Sequence, residues 1–226
     1  MKEVCVILAG CGFLDGSDIR ESVLIAYFLE EKGYRVTFIA LDAHQKEVID
    51  HRTRESLSEK REILSECARI NGEVKDIKDT EGDKISALII PGGEGTIRNL
   101  TEADKEGNLL KVNPQIRKLI REIFRRKKPI GGCGLASVLI AGSLNDLVES
   151  PLTLTTGNDA KVIQKLENLG INHVVAKPAE AVIDEEHKIV TTPGYLNKIR
   201  TKDFAPGIKN MVAGIIELTK KTSEES

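Results

Sequence analysis

The sequence predicts an α/β fold in which a doubly wound, mostly parallel sheet carries helices on both faces. Continuous apolar runs alternate with segments of helical periodicity along most of the 226 residues, as in chains built from strand–helix–strand units with right-handed crossovers. Three glycine-rich segments, 10–16, 91–95 and 131–134, fall where predicted strands end. Because ligands bind outside the carboxyl ends of parallel strands, these segments indicate the functional edge of the sheet.

The first half of the chain supplies three strands and two helices. Residues 4–9 form a continuous apolar run, typical of a central strand buried on both faces. Residues 18–32 place apolar side chains at helical spacing and precede Gly33, a favourable residue at a helix C-terminus. The remaining predicted elements are a strand over 34–41, an amphipathic helix over 58–70 capped by Ser58, and a strand over 86–90.

The second half continues the alternation. Pro114 is suited to the first turn of a helix that reaches Lys127. A short strand over 129–132 leads through a glycine turn into a helix over 135–141. The later predicted elements are a strand over 152–155, a helix over 159–169, a strand over 189–192 stopped by Pro193, and a last helix within 198–220 that begins after Pro206. The sequence therefore predicts one domain over 1–221 and a polar, frayed tail over 222–226.

Composition narrows the class of function. The chain is 40% hydrophobic and 30% charged with a formal net charge of −2, which argues against a nucleic acid or an anionic membrane as a partner. A basic run within 117–128 is interpreted as the solvated end of a helix. The four cysteines and four histidines match no zinc or CxxC spacing, so neither a metal nor another cofactor is predicted. Free thiols and an N-terminus without signal-peptide regions predict a cytoplasmic protein.

A dinucleotide-binding oxidoreductase is a distant alternative. Gly10 and Gly12 follow a strand and precede a helix, and Asp42 ends the second strand, where a ribose-binding acid would stand. However, Asp15 occupies the third glycine position of the G-x-G-x-x-G pattern, and Gly16 comes one residue late. A carboxylate at that point would repel the pyrophosphate, so this function is disfavoured.

Thiol chemistry is the stronger hypothesis. The sequence Gly-Gly-Cys-Gly-Leu-Ala-Ser at 131–137 has the form of a nucleophile elbow, a tight strand-to-helix turn that presents a reactive side chain. A helix N-terminus would activate the thiol of Cys133, and Glu21, early in the first helix, could move its proton. The backbone amides around Gly93 and Gly134 could form an oxyanion hole if they converge.

A set of short segments spread over nearly the whole chain carries a family resemblance: Ile-Leu-Ala-Gly-Cys-Gly at 7–12, Asp-Gly-Ser-Asp-Ile at 15–19, Val-Ile-Asp-His at 48–51, residues 87–93, Asn99 and Leu100, Lys-Pro-Ile-Gly at 128–131, Gly170, and Ile-Val-Thr-Thr-Pro at 189–193. In these segments the chain resembles the ElbB-like branch of the PfpI-type, class I glutamine-amidotransferase-like superfamily. That resemblance implies a flavodoxin-like fold, a homodimer, and a Cys–Glu pair whose acid matches Glu21. It also implies a glutathione-independent glyoxalase, which converts glyoxal to glycolate, and a link to isoprenoid biosynthesis.

The elbow departs from the family pattern. Relatives carry the nucleophilic cysteine three residues after the glycine that corresponds to Gly131, and this position is Gly134 here. Cys133 stands one residue early, and adjacent residues at a strained turn point in different directions. Catalysis would therefore need Cys133 to turn into the site or Cys11 to replace it. The residues expected to line the ligand are Gly12, Asp15, Gly92, Gly93, Gly95 and Gly134.

Two functions remain open at this point. The first is a glyoxalase acting on small reactive carbonyl compounds, and the second is a non-catalytic member that keeps the pocket for binding or regulation. A histidine to complete a triad is absent from 153–157, and His51, in a polar segment that could cover the pocket, is interpreted as structural.

Overall fold

A computed structural model describes residues 2–102, 111–197 and 199–224. Its centre is a sheet of seven strands, β1 (Glu3–Leu8), β2 (Arg35–Ala40), β5 (Lys75–Asp76), β6 (Ala87–Ile90), β9 (Ile130–Cys133), β12 (Val182–Asp184) and β13 (Ile189–Thr192). Their order across the sheet is β12-β13-β9-β6-β1-β2-β5, and β12 alone among them runs antiparallel to its neighbour. The predicted doubly wound, mostly parallel sheet is confirmed.

Seven helices and three small strand pairs complete the described fold. The helices are α1 (Ile19–Glu31), α2 (Ile63–Asn71), α3 (Glu94–Leu100), α4 (Pro114–Arg125), α5 (Ala136–Leu144), α6 (Ala160–Asn168) and α7 (Thr201–Glu224). The small pairs join β3 (Val48–Ile49) to β4 (Ser56–Leu57), β7 (Thr101–Glu102) to β8 (Lys111–Val112), and β10 (Thr153–Leu154) to β11 (Asn172–His173). None of the described helices is both long and apolar enough to cross a bilayer.

The two faces of the sheet are covered by different helices. A Cβ atom built on Gly131 would contact Ile215 of α7, whereas one built on the next residue, Gly132, would contact Ile140 of α5. Since successive residues of a strand point to opposite faces, α7 and α5 lie on opposite sides of β9. Cys133 therefore faces the α7 side. The lack of side chains at 131 and 132 lets both helices pack close to the strand.

Two predicted helix boundaries are wrong. Helix α2 begins at Ile63, and Ser58 is not its cap, because residues 58–62 return from the β3–β4 hairpin and the Ile63 N–H donates to the Ala43 carbonyl at 2.8 Å. Helix α7 begins at Thr201 and contains Pro206, since the fully buried Phe204 anchors the turn before the proline.

The prediction that the chain is frayed from residue 222 is also wrong, because α7 continues to Glu224. Thr222 and Ser223 donate hydroxyl hydrogen bonds to carbonyls one turn earlier, at 2.9 Å each. These side chains thereby pair locally within a helix that continues past the predicted boundary. Residues 225 and 226 lie outside the described part of the chain.

Candidate functional site

The elbow between β9 and α5 has Gly134 at its apex. Gly134 has φ +50°, in the left-handed region that side chains other than glycine rarely adopt. Its N–H donates to the Thr192 carbonyl at 2.8 Å, and its own carbonyl accepts from the Ser137 N–H at 3.1 Å. Gly134 is thus the residue that takes the strained turn conformation, while Cys133 is still part of the strand. The N–H of Gly134 is engaged with Thr192 and does not supply a free donor for an oxyanion hole.

Cys133 is a buried, uncharged thiol. Its side chain is 0% exposed, and its sulfur lies 3.7 Å from the Met211 sulfur of α7. Burial raises the pKa of Cys133 well above its usual value, and the carboxylates of Glu21 and Asp18 raise it further. A thiol is nucleophilic only as its thiolate. The structure therefore brings Cys133 beside Glu21, as predicted, but in a form that is not activated.

Glu21 is held by two backbone amides. Its Oε2 accepts from the Gly92 N–H and its Oε1 from the Tyr195 N–H, each at 2.6 Å. Helix α1 fixes the position of Glu21, because Asp18 caps the helix by accepting from the Arg20 and Glu21 N–H groups. The Gly92 amide is consequently occupied by the carboxyl group rather than presented to a ligand.

The environment of Glu21 favours its protonated form. Burial and the nearby Asp18 raise the pKa of Glu21 to about 7, while the Tyr195 and Gly92 N–H groups and Arg20 act in the opposite direction. The thiol of Cys133 and the carboxyl of Glu21 share this buried space, and both keep their protons more tightly than they would in water. The pair can hold a proton near neutral pH, which is a requirement for acid–base chemistry.

This proton affinity predicts a pH-dependent stability. The folded pKa of Glu21 lies above the ordinary 4.5, so the folded state binds more protons than the unfolded state between these values. The contribution of Glu21 is therefore most favourable below about pH 4.5 and is lost as pH rises to about 7. Urea titrations of wild type and Glu21→Gln across this range should give a difference in unfolding free energy that shrinks as pH rises.

Glu30→Gln is the matched control for that titration, because Glu30 is an exposed glutamate on the same helix. Glutamine at position 21 would turn its side-chain N–H toward a backbone N–H. Glu21→Gln is therefore expected to lose some stability at every pH, on top of the difference that depends on pH. A pH-independent difference between wild type and Glu21→Gln would contradict the raised pKa.

The glycines of the loop at 91–95 act mainly in close packing. A Cβ on Gly93, whose φ is +129°, would overlap the Gly16 carbonyl oxygen. A Cβ on Gly95 would overlap the Gly16 nitrogen and the Asp15 carbonyl carbon. The two glycine-rich loops thus meet backbone to backbone at the carboxyl edge of the sheet. Gly92, Gly93 and Gly95, all predicted to line the ligand, have a structural explanation that needs no ligand.

Cys11 lies in surroundings different from those of Cys133. It is half-buried, and its pKa is raised by burial, while Arg69 lowers it and Glu66 raises it. These two charges belong to α2, and neither is among the groups that raise the pKa of Cys133. The N–H of the preceding residue, Gly10, donates to the Cys67 sulfur of α2 at 3.0 Å. The loop that carries Cys11 therefore packs against α2.

Asp15 and Gly12 hold the β3–β4 hairpin against the first loop. The Asp15 carboxylate is 1% exposed and accepts from the Ile49 N–H at 3.0 Å, and its other oxygen lies 3.6 Å from His51 Nε2. The His51 ring lies directly against Gly12, so that a Cβ there would overlap it. Asp15 and Gly12, both predicted to line the ligand, thus attach the hairpin to the first loop, and His51 takes part in that attachment.

The residues that cover the Glu21–Cys133 pair were not predicted from the sequence. Gly194 has φ +58°, and a Cβ there would overlap Glu21 Oε1. The Tyr195 ring packs edge to face with Phe13 at 5.2 Å, and the Arg20 guanidinium lies 3.4 Å from the centre of the Tyr195 ring. Gly194, which follows the proline that ends β13, was the one signal in the sequence for this turn. The contacts of the Tyr195 ring form only when distant segments of the chain fold together, so no signal in the sequence indicated them.

No family model matches this chain. A human relative, glutamine amidotransferase-like class 1 domain-containing protein 3, mitochondrial, is 33% identical over 96% of this chain and 84% of its own length. The rat ES1 protein homolog, mitochondrial, has the same identity and coverage. Because these relatives are named mitochondrial, the cytoplasmic prediction is contradicted. Free thiols indicate only a reducing environment, and more than one compartment provides it.

Solved structures give the same picture of the fold. An isoprenoid biosynthesis protein with an amidotransferase-like domain from Ehrlichia chaffeensis superposes with a TM-score of 0.87 at 30% identity, over 95% of this chain and 99% of that one. Drosophila melanogaster DJ-1beta superposes with a TM-score of 0.56 at 20% identity, over 99% of this chain and 96% of that one, and shares the fold. The predicted flavodoxin-like architecture is confirmed, and the chain belongs to the glutamine amidotransferase-like class 1 domain family, in its ElbB-like branch.

Proposed function

We propose that this protein is a non-catalytic member of its family that binds a small carbonyl or carboxylic compound at the elbow. The observation that carries the proposal is that glycine occupies the left-handed apex, Gly134 with φ +50°. No side chain is available there to attack a carbonyl carbon, and the neighbouring thiol of Cys133 is 0% exposed. The elbow thus keeps its shape and lacks its nucleophile.

Polar groups around the elbow support binding of a small polar ligand. The Glu21 carboxyl, with its pKa raised to about 7 by burial, can donate or accept a hydrogen bond near neutral pH. The Arg20 guanidinium stacks on Tyr195 and pairs with Asp18 at 2.6 Å, and its side chain remains 37% exposed. This cation is held in place close to Glu21 and is suited to a carboxylate or an aldehyde oxygen.

A glutathione-independent glyoxalase is the second candidate, favoured by the contact between Cys133 and Glu21. In that reaction the thiolate would add to one aldehyde carbon of glyoxal to give a hemithioacetal. Glu21 would move the proton of that carbon to its neighbour through an enediol, which leaves a thioester beside a CH2OH group, so that one carbon is oxidised as the other is reduced. Water would then hydrolyse the thioester, which releases glycolate and restores the thiol. The step requires Cys133 to lose its proton and to leave its contact with Met211. Burial opposes both changes, because it raises the pKa of the thiol well above its usual value.

One pair of assays separates the two candidates. Calorimetric titration with glycolate measures binding, and loss of glyoxal or methylglyoxal without glutathione measures turnover, in wild type, Cys133→Ala, Cys11→Ala and Glu21→Ala. We expect saturable binding of glycolate to wild type, weaker binding to Glu21→Ala, and no turnover above buffer in any of the four proteins. Turnover that is lost in Cys133→Ala would establish the glyoxalase instead. Absence of both binding and turnover would contradict both candidates.

We further propose that two copies of the chain associate through α1. Three large apolar side chains, Ile19, Val23 and Tyr27, are 44%, 49% and 57% exposed. They are spaced four residues apart and so share one face of the helix, a pattern typical of a face that is covered by a partner. Isologous pairing of this face with its own copy would bury the stripe in a symmetric dimer.

The dimer is tested by light scattering on the eluted protein. The monomer mass is 24.8 kDa, and wild type is expected to elute at twice that mass. Val23→Glu should give monomers, because it places a charge in the apolar stripe. Val175→Glu is the control, since Val175 is 67% exposed elsewhere on the molecule. A monomeric wild type, or equal effects of the two changes, would contradict the proposal.

A further inference from the structure

A serine, a histidine and an aspartate lie in line at the opposite edge of the sheet. Ser150 Oγ is 3.2 Å from His187 Nε2, and His187 Nδ1 is 2.9 Å from Asp184 Oδ2. Asp184 ends β12, and His187 precedes β13, whose first residue pairs with the first residue of β9. Cys133 pairs with the other end of β13, roughly 10 Å further along the strand. The cluster is therefore separate from the elbow.

The surroundings fix the orientation of the imidazole. Asp184 is 6% exposed, and its carboxylate also accepts from the Thr153 N–H at 2.8 Å and the His187 N–H at 3.0 Å. Since a carboxylate only accepts, the hydrogen between Asp184 and His187 belongs to Nδ1. In the neutral ring, Nε2 then carries a free electron pair directed at Ser150. The His187 ring also stacks on Phe124, with centroids 6.3 Å apart.

Glu186 competes for the hydroxyl hydrogen of Ser150. Ser150 Oγ donates to Glu186 Oε1 at 2.7 Å, and a hydroxyl has one hydrogen to give. Glu186 is exposed, so this bond is open to water. While Glu186 holds the hydrogen, His187 cannot accept it. Removal of the Glu186 charge would return the hydrogen to Nε2.

We propose that Ser150 is the nucleophile of a second, hydrolytic site for small activated esters, with His187 as its base and Asp184 as a positioning residue. Ser150 Oγ forms a bond to the ester carbonyl carbon as its proton moves to His187 Nε2. The carbon–oxygen bond to the alcohol then breaks, and His187 returns the proton to the departing oxygen. Water hydrolyses the acyl-serine through the same base, which releases the acid and restores Ser150.

The test uses two probes on the intact protein. A biotinylated fluorophosphonate forms an oxygen–phosphorus bond to an activated serine and releases fluoride, and the labelled peptide is identified by mass spectrometry. The release of p-nitrophenol from p-nitrophenyl acetate gives the rate. We expect the label on Ser150 and a loss of the serine-dependent rate in Ser150→Ala. His187→Gln should lower that rate about 100-fold, the low end for a general base.

Glu186→Gln provides the discriminating result, because it should raise both labelling and rate severalfold. If the hydrogen bonds among Ser150, His187 and Asp184 only held the segment at Ser150 against the turn between β12 and β13, Glu186→Gln would raise neither the labelling nor the rate. Ser65→Ala is the matched control, since Ser65 also donates to a glutamate, Glu62, at 3.3 Å but is not part of the serine–histidine–aspartate cluster. Circular dichroism checks the fold of each variant. Label on another residue, no label, or a rate unchanged by Ser150→Ala or Glu186→Gln would overturn the proposal.

Discussion

Replacement of Gly134 by cysteine is expected to give the protein a reactive thiol at the elbow and a glyoxalase activity that wild type lacks. The new thiol would stand at the N-terminus of α5, where the helix dipole lowers a cysteine pKa. Glu21 lies beside the adjacent Cys133 and could serve in proton transfer. Glyoxal consumption without glutathione should rise about 100-fold over the rate in buffer, the low end of what a positioned proton-transfer group contributes.

The cost of this substitution is strain. A side chain in the left-handed region costs roughly 1–2 kcal/mol, and the new Cβ would lie 3.0 Å from the Pro193 carbonyl oxygen. Gly134→Ser imposes the same strain without the thiol and is the matched control. If Gly134→Cys folds and remains as inactive as Gly134→Ser, then the missing nucleophile is not what keeps wild type from turnover.

Replacement of Gly95 by alanine is expected to be severely destabilising. Its Cβ would overlap two backbone atoms, the Gly16 nitrogen and the Asp15 carbonyl carbon, and backbone cannot move aside as a flexible side chain can. Overpacking of this kind costs about 3 kcal/mol, enough to leave a marginally stable protein partly unfolded. Urea denaturation followed by circular dichroism measures the loss.

Gly33→Ala separates packing from backbone conformation. Gly33 has φ +76° and nothing within 4 Å of its would-be Cβ, so alanine there meets strain alone and should cost roughly 1–2 kcal/mol. If Gly95→Ala lowers the unfolding free energy no more than Gly33→Ala does, then residue 95 has room for a side chain and the two glycine-rich loops are not in tight backbone contact there.

Local patterns were enough to predict the five inner strands of the sheet and one side of the site, whereas the short edge strands β5 and β12 were not predicted. The apolar run at 4–9 places β1, and the apolar spacing over 18–32 places α1 and hence Glu21. The glycine turn after β9 also predicted the elbow. Its family pattern placed the nucleophile position at Gly134, the residue that the structure finds in the left-handed conformation.

The residues that cover Glu21 and Cys133 could not be predicted from local sequence patterns. The Tyr195 amide that holds Glu21 is 174 residues away along the chain, and the stack of Arg20 on Tyr195 exists only after both segments fold. The same holds for the acid–base properties of the site. The residue types alone suggest a Cys–Glu pair ready for catalysis, whereas burial raises the pKa of both groups and keeps the thiol uncharged.

The most direct test of a non-catalytic elbow is the rate at which iodoacetamide alkylates Cys133 in the folded protein, read by peptide mass spectrometry between pH 6 and pH 9. Cys11 is half-buried and serves as the internal comparison, and a urea-unfolded sample shows full reactivity. We predict that Cys133 stays unmodified across this range while Cys11 reacts. Rapid alkylation of Cys133, with a titration near or below neutral pH, would reveal a catalytic thiolate and contradict the account.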